Sequence, residues 1–274
     1  MKQKQIIITG GYSGIGLELS RLLIKDGHKL GLIIKTEERK KDFLHNHPEF
    51  INQNVELFIA DLSIQNQVLK VAEEINNIWE AIDILFNNAG ILTGSLCFSE
   101  QNNEMHFEVN TIAPYLLTLE LKSALEKSGD SIVVNTVTDG LHYLKVFDSS
   151  ELLNPTKFIK LFGSYTLSKM ALLLLMNELA IEWSQHNIRF INASPGGNKT
   201  KLTNGDGMPG WMRPLILLLY KKPTFGAKQL YDAAFKESFS DKTGIYVQSG
   251  KIKKIQVSIN ESQHQEILSK INKK

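Results

Sequence analysis

A short apolar strand followed at once by a glycine-rich loop is the feature that most restricts how this chain can fold. Residues 5–9 are rich in β-branched side chains, which predicts a buried strand. Glycines follow within residues 10–16, and apolar residues then recur at helical spacing until Gly27, a typical helix stop. A strand, a glycine loop and a helix in this order allow backbone N–H groups to approach a pyrophosphate. The same stretch also fits a tight turn without a ligand.

Strands and helices continue to alternate along the chain, and this alternation predicts the fold class. We predict one α/β domain over residues 1–274, a Rossmann-type doubly wound parallel sheet of about seven strands with helices on both faces. Residues 141–162 form a long connection, and residues 201–225 are the predicted substrate-lid region. The predicted strands after the first cover residues 29–34, 55–60, 82–86, 131–137, 188–193 and 244–247. A short terminal helix is predicted over residues 263–272.

Charge and cysteine content narrow the function classes. The net charge of +2 over 274 residues is too small to indicate a nucleic-acid-binding protein. The single cysteine, Cys97, excludes an internal disulfide and fits a reducing compartment, so we expect a cytoplasmic protein. No apolar run reaches the length of a membrane span, and we expect neither a signal peptide nor a transmembrane segment. We also expect no metal site.

The end of the second predicted strand bears on the choice of cofactor. Sites that prefer NAD place an acidic residue there to bond the ribose hydroxyls, but here the first acid is Glu37. Lys35 stands at this position and would pair with a 2′-phosphate, which favours NADP over NAD. Two observations weaken that interpretation: Lys35 could belong to the solvated face of the next helix, and Glu37 and Glu38 would repel a phosphate.

Tyr165 and Lys169 form the strongest candidate for acid/base chemistry. They are four residues apart in a predicted helix, so both side chains leave the same face. The charge of Lys169 would favour phenolate and lower the pKa of Tyr165 from its ordinary value of about 10. Such a phenol can give a proton to a carbonyl oxygen or take one from an alcohol. The alternative is a half-buried tyrosine beside a solvated lysine.

Two further stretches, one around a polar residue and one apolar, each allow more than one structural interpretation. Asn110 lies inside a helix predicted over residues 103–125, where an asparagine is mildly unfavourable, and this indicates a local bend or an ordered water. The apolar and aromatic segment 208–220 fits a packed helix, a lid over an apolar substrate or a patch in contact with a membrane. We favour the lid, and we expect the substrate to be a sizeable hydrophobic molecule.

The motifs in this chain resemble those of the short-chain dehydrogenases/reductases. The nearest subgroup is that of the retinol-dehydrogenase-like and protochlorophyllide-reductase-like enzymes, because of the 27-residue gap between Thr138 and Tyr165, the segment Pro223-Thr224-x-Gly226-Ala227 and the tail 244–271. The matching motifs, in chain order, are Thr9-Gly10-x-x-x-Gly14-x-Gly16, Asp61-Leu62, Asn87-Asn88-Ala89-Gly90, Asn110, Tyr165-x-x-x-Lys169 and Pro195-Gly196-x-x-x-Thr200.

The resemblance implies an enzyme that transfers hydride between nicotinamide and a carbonyl or alcohol carbon, and Lys35 makes NADP(H) the expected cofactor. Tyr165 would transfer the proton, Lys169 would lower its pKa and bond the nicotinamide ribose, and Asn110 would position a relay water. Thr200 would lie near the carboxamide. The resemblance and the strand-end chemistry together give these cofactor-binding residues: Gly10, Tyr12, Ser13, Gly14, Ile15, Gly16, Lys35, Asp61, Leu62, Asn88, Ala89, Gly90, Tyr165, Lys169, Pro195, Gly196 and Thr200.

One position departs from the family pattern. The family usually has Ser-Ser at the end of the fifth strand, and this chain has Val137-Thr138. Threonine keeps a hydroxyl, so Thr138 would polarise the substrate oxygen as the second serine does. The alternatives are an impaired site that binds cofactor without turnover, or an enzyme that reduces a C=C bond. The resemblance also implies a homo-oligomer, a dimer or a tetramer, assembled through helices 103–127 and 164–185.

Overall fold

The computed structural model describes residues 2–51 and 53–270, and within them the chain forms one twisted sheet of eight strands. The strand order is β3-β2-β1-β4-β5-β6-β7-β8, and all neighbours are parallel except β7 and β8, which are antiparallel. The doubly wound α/β prediction is confirmed. The strands are β1 (Gln5–Thr9), β2 (Lys29–Ile34), β3 (Val55–Ile59), β4 (Ile84–Asn87), β5 (Ser131–Thr136), β6 (Ile188–Ser194), β7 (Ile245–Gln248) and β8 (Lys251–Lys253).

Helices cover both faces of the sheet. A separate π-helical turn, Glu108–Ile112, lies between the fourth and fifth helices. The α-helices are α1 (Gly14–Lys25), α2 (Glu37–Asn46), α3 (Gln65–Ile78), α4 (Met105–Phe107), α5 (Ala113–Glu120), α6 (Lys122–Lys127), α7 (Ser149–Leu153), α8 (Ser164–Glu182), α9 (Lys201–Asn204), α10 (Arg213–Leu219), α11 (Pro223–Phe235) and α12 (Glu261–Leu268). The predicted terminal helix 263–272 ends outside the described residues.

Two apolar cores, one on each face, follow from the alternation of side chains along the strands. In β1, Ile7 belongs to the core with α3, α5 and α8, whereas Ile6 and Ile8 belong to the core with α1 and α11. All three side chains are fully buried, as expected for a central parallel strand covered on both faces. The eighth strand, β8, was absent from the prediction because its three residues are exposed and carry no apolar pattern.

The helix predicted over residues 103–125 is interrupted at Asn110, the residue that indicates a local bend in the sequence. Asn110 lies at the centre of the π-helical turn, and α5 begins only after that turn, at Ala113. A π-helical turn inserts an extra residue into the helical hydrogen-bond pattern and re-aims the side chains around it. The polar side chain of Asn110 is thereby directed towards the sheet edge instead of solvent.

A row of buried asparagines crosses the centre of the sheet. Asn87, Asn135 and Asn192 are neighbours in register on β4, β5 and β6. The Nδ2 atom of Asn87 donates to Oδ1 of Asn135 at 2.9 Å, and Nδ2 of Asn135 donates to Oδ1 of Asn192 at 3.2 Å. Asn192 in turn donates to Oδ1 of Asn177 on α8 at 3.0 Å. This amide row ties three central strands to the helix that carries Tyr165.

The long connection after β5 is ordered by packing. It contains α7, whose Leu152 and Leu153 are buried in the core together with Phe147. The hydroxyl of Ser149 donates to the Glu266 carboxylate of α12 at 2.7 Å. Among the residues that the structure describes, no helix is both long enough and apolar enough to cross a bilayer.

Candidate active site

The predicted site residues come from loops that meet at the carboxyl edge of the sheet. The hydroxyl oxygen of Thr9 accepts hydrogen bonds from the backbone N–H groups of Asn88, at 3.0 Å, and Ala89, at 2.9 Å. The side chain of Asn88 donates back to the carbonyl oxygen of Thr9 at 3.0 Å. The loops after β1 and β4 are therefore held together by Thr9, which the sequence motif contained but which was not among the predicted site residues.

The glycine loop after β1 has the backbone and the space that a phosphate cradle requires. Gly10 and Gly14 have positive φ angles of 67° and 55°, and a Cβ at Gly16 would overlap the carbonyl oxygen of Gly10. Ser13 precedes α1 with no side-chain capping bond, and no acidic residue lies in the first turn of that helix. The N–H groups at this helix start are thus available to an anion.

Other predicted members of the cradle have structural roles of their own. The side chains of Tyr12 and Ile15 pack partly buried against the α1 side of the core. Thr200 lies beside the loop, with its Cγ2 atom 3.6 Å from the Cβ position of Gly14. Its hydroxyl caps α9 by accepting from the N–H of Thr203 at 3.3 Å. This cap uses one lone pair of the hydroxyl and leaves its O–H donor for the predicted contact with a carboxamide.

Lys35 and Asp61 form an ion pair at the ends of β2 and β3. Their Nζ and Oδ2 atoms are 3.1 Å apart, and Asp61 also accepts from the N–H and hydroxyl of Ser63 at 3.0 and 2.7 Å. Burial acts to raise the pKa of Asp61, but the hydrogen bonds from Ser63 and Lys35 together hold that pKa below its ordinary value. The next residue, Leu62, lines a small cavity with Thr9 and Ala89.

Asn110 fixes the loop after β4. Its Oδ1 atom accepts from the N–H of Ile91 at 2.9 Å, and its Nδ2 atom donates to the carbonyl oxygen of Ile91 at 3.1 Å and to the hydroxyl of Ser168 at 3.1 Å. A Cβ at Gly90 would lie 3.1 Å from Oδ1 of Asn110 and 3.3 Å from Nζ of Lys169. Gly90 is thus the point at which the predicted cofactor loop, Asn110 and Lys169 meet.

Lys169 is 3 % exposed, and its Nζ atom donates to the carbonyl oxygen of Thr136 at 2.8 Å. Burial lowers the pKa of Lys169 from 10.5 to about 7, because no carboxylate compensates for the lost hydration. A lysine with this pKa is only partly charged at neutral pH.

Tyr165 differs from the sequence-based expectation in one respect. Burial raises its pKa to about 12, whereas a hydrogen bond with Thr138 acts to lower it. The expected depression by Lys169 is absent in the protein alone, since Lys169 is itself buried and poorly charged. The charges of Tyr220 and Asp139 add to the increase in the pKa of Tyr165.

Thr138, which the resemblance predicts to polarise the substrate carbonyl, lies two residues after the end of β5. Its side chain bonds with Tyr165, and its Oγ1 atom also accepts from the N–H of Gly140 at 3.2 Å. The carbonyl oxygen of Thr138 accepts from the phenol of Tyr246 at 3.3 Å. The Thr138 hydroxyl therefore lies beside the phenol of Tyr165, where a substrate oxygen would need both groups.

Asp139 is a charged member of the site that the sequence analysis did not assign. Its charge raises the pKa values of three tyrosines, Tyr165, Tyr220 and Tyr246, after the larger effect of burial on each. Its Oδ1 atom is buried without a hydrogen-bond partner among the described residues. A Cβ at Gly196, which follows Pro195 at the end of β6 and has a φ of 74°, would lie 4.0 Å from Oδ2 of Asp139. The sequence feature that could have identified Asp139 as a site residue is its position directly after Thr138.

An apolar cluster covers the Tyr165 side of the site. Tyr165 packs with Leu92, Met208 and Ile216, so α10 and the loop before it close over the phenol. A buried pair lies on the other side of the ring: His106 contacts Tyr165 edge to face at 6.1 Å, and its Nδ1 atom is 2.7 Å from the Glu104 carboxylate. Across residues 2–51 and 53–270, no group of three or more metal-ligating side chains is arranged to hold an ion.

Comparison with known proteins shows the family to which this chain belongs. The family profile described as short chain dehydrogenase matches residues 4–147, which is more than half of the chain. The chain belongs to the short-chain dehydrogenase family. Its members are oxidoreductases that use a nicotinamide cofactor and act on small molecules, so the resemblance in the motifs is confirmed at this level.

Individual members of the short-chain dehydrogenase family cover most of the chain. Human retinol dehydrogenase 13 is 28 % identical over 253 residues, 89 % of this chain and 75 % of the relative. The polyprenol dehydrogenase of Danio rerio is 27 % identical over 260 residues, 90 % of this chain and 79 % of the relative. The crystal structure of levodione reductase superimposes with a TM-score of 0.70 at 22 % identity, over 90 % of this chain and 96 % of that one, and shows the shared fold. The retinol-dehydrogenase-like subgroup is likewise confirmed.

Proposed function

We propose that this short-chain dehydrogenase transfers hydride between NADP(H) and a carbonyl or alcohol carbon of a hydrophobic small molecule, with Tyr165 as acid and base. The observation that carries the proposal is the interaction of the Thr138 side chain with the phenol of Tyr165, near the buried Lys169 that donates to the carbonyl oxygen of Thr136. Two neighbouring hydroxyls can share a single substrate oxygen, as carbonyl reduction needs.

The protein groups divide the proton chemistry between them. In reduction, Tyr165 gives its proton to the substrate oxygen while Thr138 donates a hydrogen bond to the same oxygen. In oxidation, the Tyr165 phenolate takes the proton from the alcohol, and Thr138 keeps its hydrogen bond to that oxygen. The Lys169 ammonium, when charged, stabilises the phenolate that remains on Tyr165. Asn110 and Ser168 hold the surrounding backbone in place. The nicotinamide, when bound, supplies or accepts the hydride.

The cofactor site fits a dinucleotide phosphate. Gly10 and Gly14 have positive φ angles, Gly16 leaves room for the carbonyl oxygen of Gly10, and the first turn of α1 has unused N–H donors. Lys35 is half exposed, and it forms an ion pair with Asp61 at the protein surface, where such pairs contribute little to stability. Turning Lys35 from Asp61 to a 2′-phosphate costs little, which supports NADP as the preferred cofactor.

The substrate class follows from the apolar cover over Tyr165. Leu92, Met208 and Ile216 surround the phenol, and Met212 and Tyr220 lie partly buried beside them. Such a cover suits a molecule with a large apolar body and one oxygen function. The printed names of two relatives refer to retinol and polyprenol, which are apolar alcohols of this kind.

The decisive experiment is a cofactor-oxidation assay over a panel of aldehydes and ketones of increasing apolar size, run with NADPH and NADH in parallel. We expect turnover with NADPH, higher kcat/KM for the larger apolar aldehydes, and a weaker signal with NADH. Oxidation of NADH in preference to NADPH would overturn the cofactor choice, and product analysis would reveal C=C reduction if that were the reaction.

A second candidate is a protein that binds NADP(H) without turnover. It is favoured by Thr138 in place of serine and by the raised pKa of Tyr165. Tight NADPH binding with no turnover on any member of the panel would support this candidate. The cytoplasmic location and the homo-oligomer remain predictions, as do the division into one domain over residues 1–274 and the roles of the individual site residues.

A further inference from the structure

Helix α10 presents its apolar side chains to solvent. Ile216 faces inward and packs against Tyr165, with Met212 and Tyr220 one turn before and one turn after it. The remaining face would be polar in an ordinary surface helix. Here it carries Leu217, Leu218 and Leu219, which are 73 %, 80 % and 63 % exposed.

The apolar surface extends beyond α10. Trp211, immediately before the helix, is 66 % exposed, and a second group of exposed apolar residues comes from the connection after β5. In that group Tyr143 and Phe162 contact each other edge to face at 6.5 Å. One hydrogen bond connects this connection to the loop before α10: the Nζ atom of Lys160 donates to the carbonyl oxygen of Asp206 at 2.7 Å. We call this surface the apolar rim; its members are Tyr143, Val146, Ile159, Phe162, Trp211, Leu215, Leu217, Leu218 and Leu219.

Basic residues bracket the apolar rim. Arg213 begins α10 and Lys222 follows three residues after its end; both are exposed, and their side chains make no hydrogen bond or ion pair among the described residues. The Nζ atom of Lys199 donates to the carbonyl oxygen of Leu217 at 2.8 Å, so a third cation lies against the helix. Residues 199–222 contain five basic residues and one acidic residue, Asp206. An apolar surface flanked by cations is complementary to a bilayer that carries anionic headgroups.

We propose that the apolar rim docks this protein on the surface of an anionic lipid bilayer. The leucines of α10 insert among the upper acyl chains, and Arg213, Lys199 and Lys222 contact the headgroup phosphates. Because Ile216, on the opposite face of the same helix, packs on Tyr165, docking places the apolar entrance of the site against the membrane. The proposal concerns a binding surface and does not depend on the proposed function.

The test is co-sedimentation with phosphatidylcholine vesicles that contain or lack phosphatidylserine. The apolar variant is Leu217→Glu/Leu218→Glu, and its matched control is Ile78→Glu/Ile181→Glu, which places the same charges at apolar residues that are 54 % and 77 % exposed elsewhere. The charge variant is Arg213→Glu/Lys222→Glu, matched by Lys251→Glu/Lys253→Glu on the exposed strand β8. Thermal melting of every variant verifies that it is folded.

We expect the wild type to sediment with the anionic vesicles and to bind phosphatidylcholine vesicles much more weakly. The apolar variant and the charge variant should each lose at least about tenfold in partitioning, and the two controls should keep it. Wild type that stays in the supernatant with both vesicles would overturn the proposal. An apolar variant that binds vesicles as the wild type does would also overturn it. A third contradicting result is a wild type that forms a dimer and does not bind vesicles, with an apolar variant that is monomeric, because the rim would then cover a second copy of the chain.

Discussion

The Nζ atom of Lys169 lies 2.8 Å from the carbonyl oxygen of Thr136, at the end of the strand that leads to Thr138. This bond holds an almost fully buried amine at the end of β5, two residues before Thr138, without a carboxylate partner. The consequence is a lysine whose pKa is lowered to about 7 by burial. A buried amine with a lowered pKa can change its charge near neutral pH, and its burial lowers the stability of the fold. Both effects can be measured.

Replacement of Lys169 by methionine should stabilise the fold in a pH-dependent manner. The folded pKa of about 7 lies below the unfolded value of 10.5, so the unfolded chain binds more protons between these limits and wild-type stability rises with pH there. The stability advantage of Lys169→Met should shrink by about 2 kcal/mol between pH 7.5 and 9, because one titrating group contributes about 1.4 kcal/mol per pH unit. Urea unfolding of both proteins measures this, and parallel stability curves would contradict it.

Removal of the Thr138 hydroxyl should slow the reaction. The variant Thr138→Ala loses the hydrogen bond to Tyr165 and the donor to the substrate oxygen, and we expect kcat to fall about 10²–10³-fold. The variant Thr138→Ser keeps the hydroxyl and should stay within about tenfold of the wild type. Steady-state kinetics with NADPH and the best aldehyde of the panel measures both. Unchanged turnover in Thr138→Ala would remove Thr138 from the mechanism.

Loss of the Lys35 charge should change cofactor preference. The variant Lys35→Ala removes the cation expected to pair with the 2′-phosphate, and KM for NADPH should rise about 10–100-fold, the range for a charged hydrogen bond. KM for NADH should hardly change. Lys41→Ala, on the exposed face of α2, is the matched control and should leave both constants as they are. Equal losses for NADPH and NADH would show that Lys35 does not contact the phosphate.

The asparagine row should contribute strongly to stability. Asn135→Ala removes the amide that bonds both Asn87 and Asn192. The buried Oδ1 atom of Asn192 loses its donor and the Nδ2 atom of Asn87 keeps only its bond to Thr118, which should cost about 2–4 kcal/mol of unfolding free energy. The exposed Asn77→Ala on α3 should change stability by no more than about 0.5 kcal/mol. Chemical denaturation compares the two. A loss in Asn135→Ala no larger than in Asn77→Ala would mean that the row is energetically neutral.

Features that depend on local pattern could be predicted from the sequence. The strand and glycine loop at residues 5–16 and the four-residue spacing of Tyr165 and Lys169 required only neighbouring residues, and the family motifs fixed their order. The irregularity at Asn110 was also visible, because an amide is unfavourable inside a helix.

Features that depend on tertiary contacts could not be predicted in this way. The raised pKa of Tyr165 results from burial by α10 and the loop before it, which are far away in sequence. The role of Asp139 appears only when β6 and β7 bring Gly196 and Tyr246 next to it. The pairing of the asparagine row requires the strand order and register, which no local pattern specifies.

The substitution Tyr165→Phe tests the central claim most directly, because it removes one hydroxyl from a buried ring and leaves the apolar packing in place. The measurement is NADPH oxidation with the best aldehyde of the panel, together with NADPH affinity by fluorescence titration. We predict that kcat falls at least about 10²–10⁴-fold, the usual contribution of a general acid, while the Kd for NADPH changes little. Turnover within a few-fold of the wild type at unchanged NADPH affinity would contradict the assignment of Tyr165 as the proton donor.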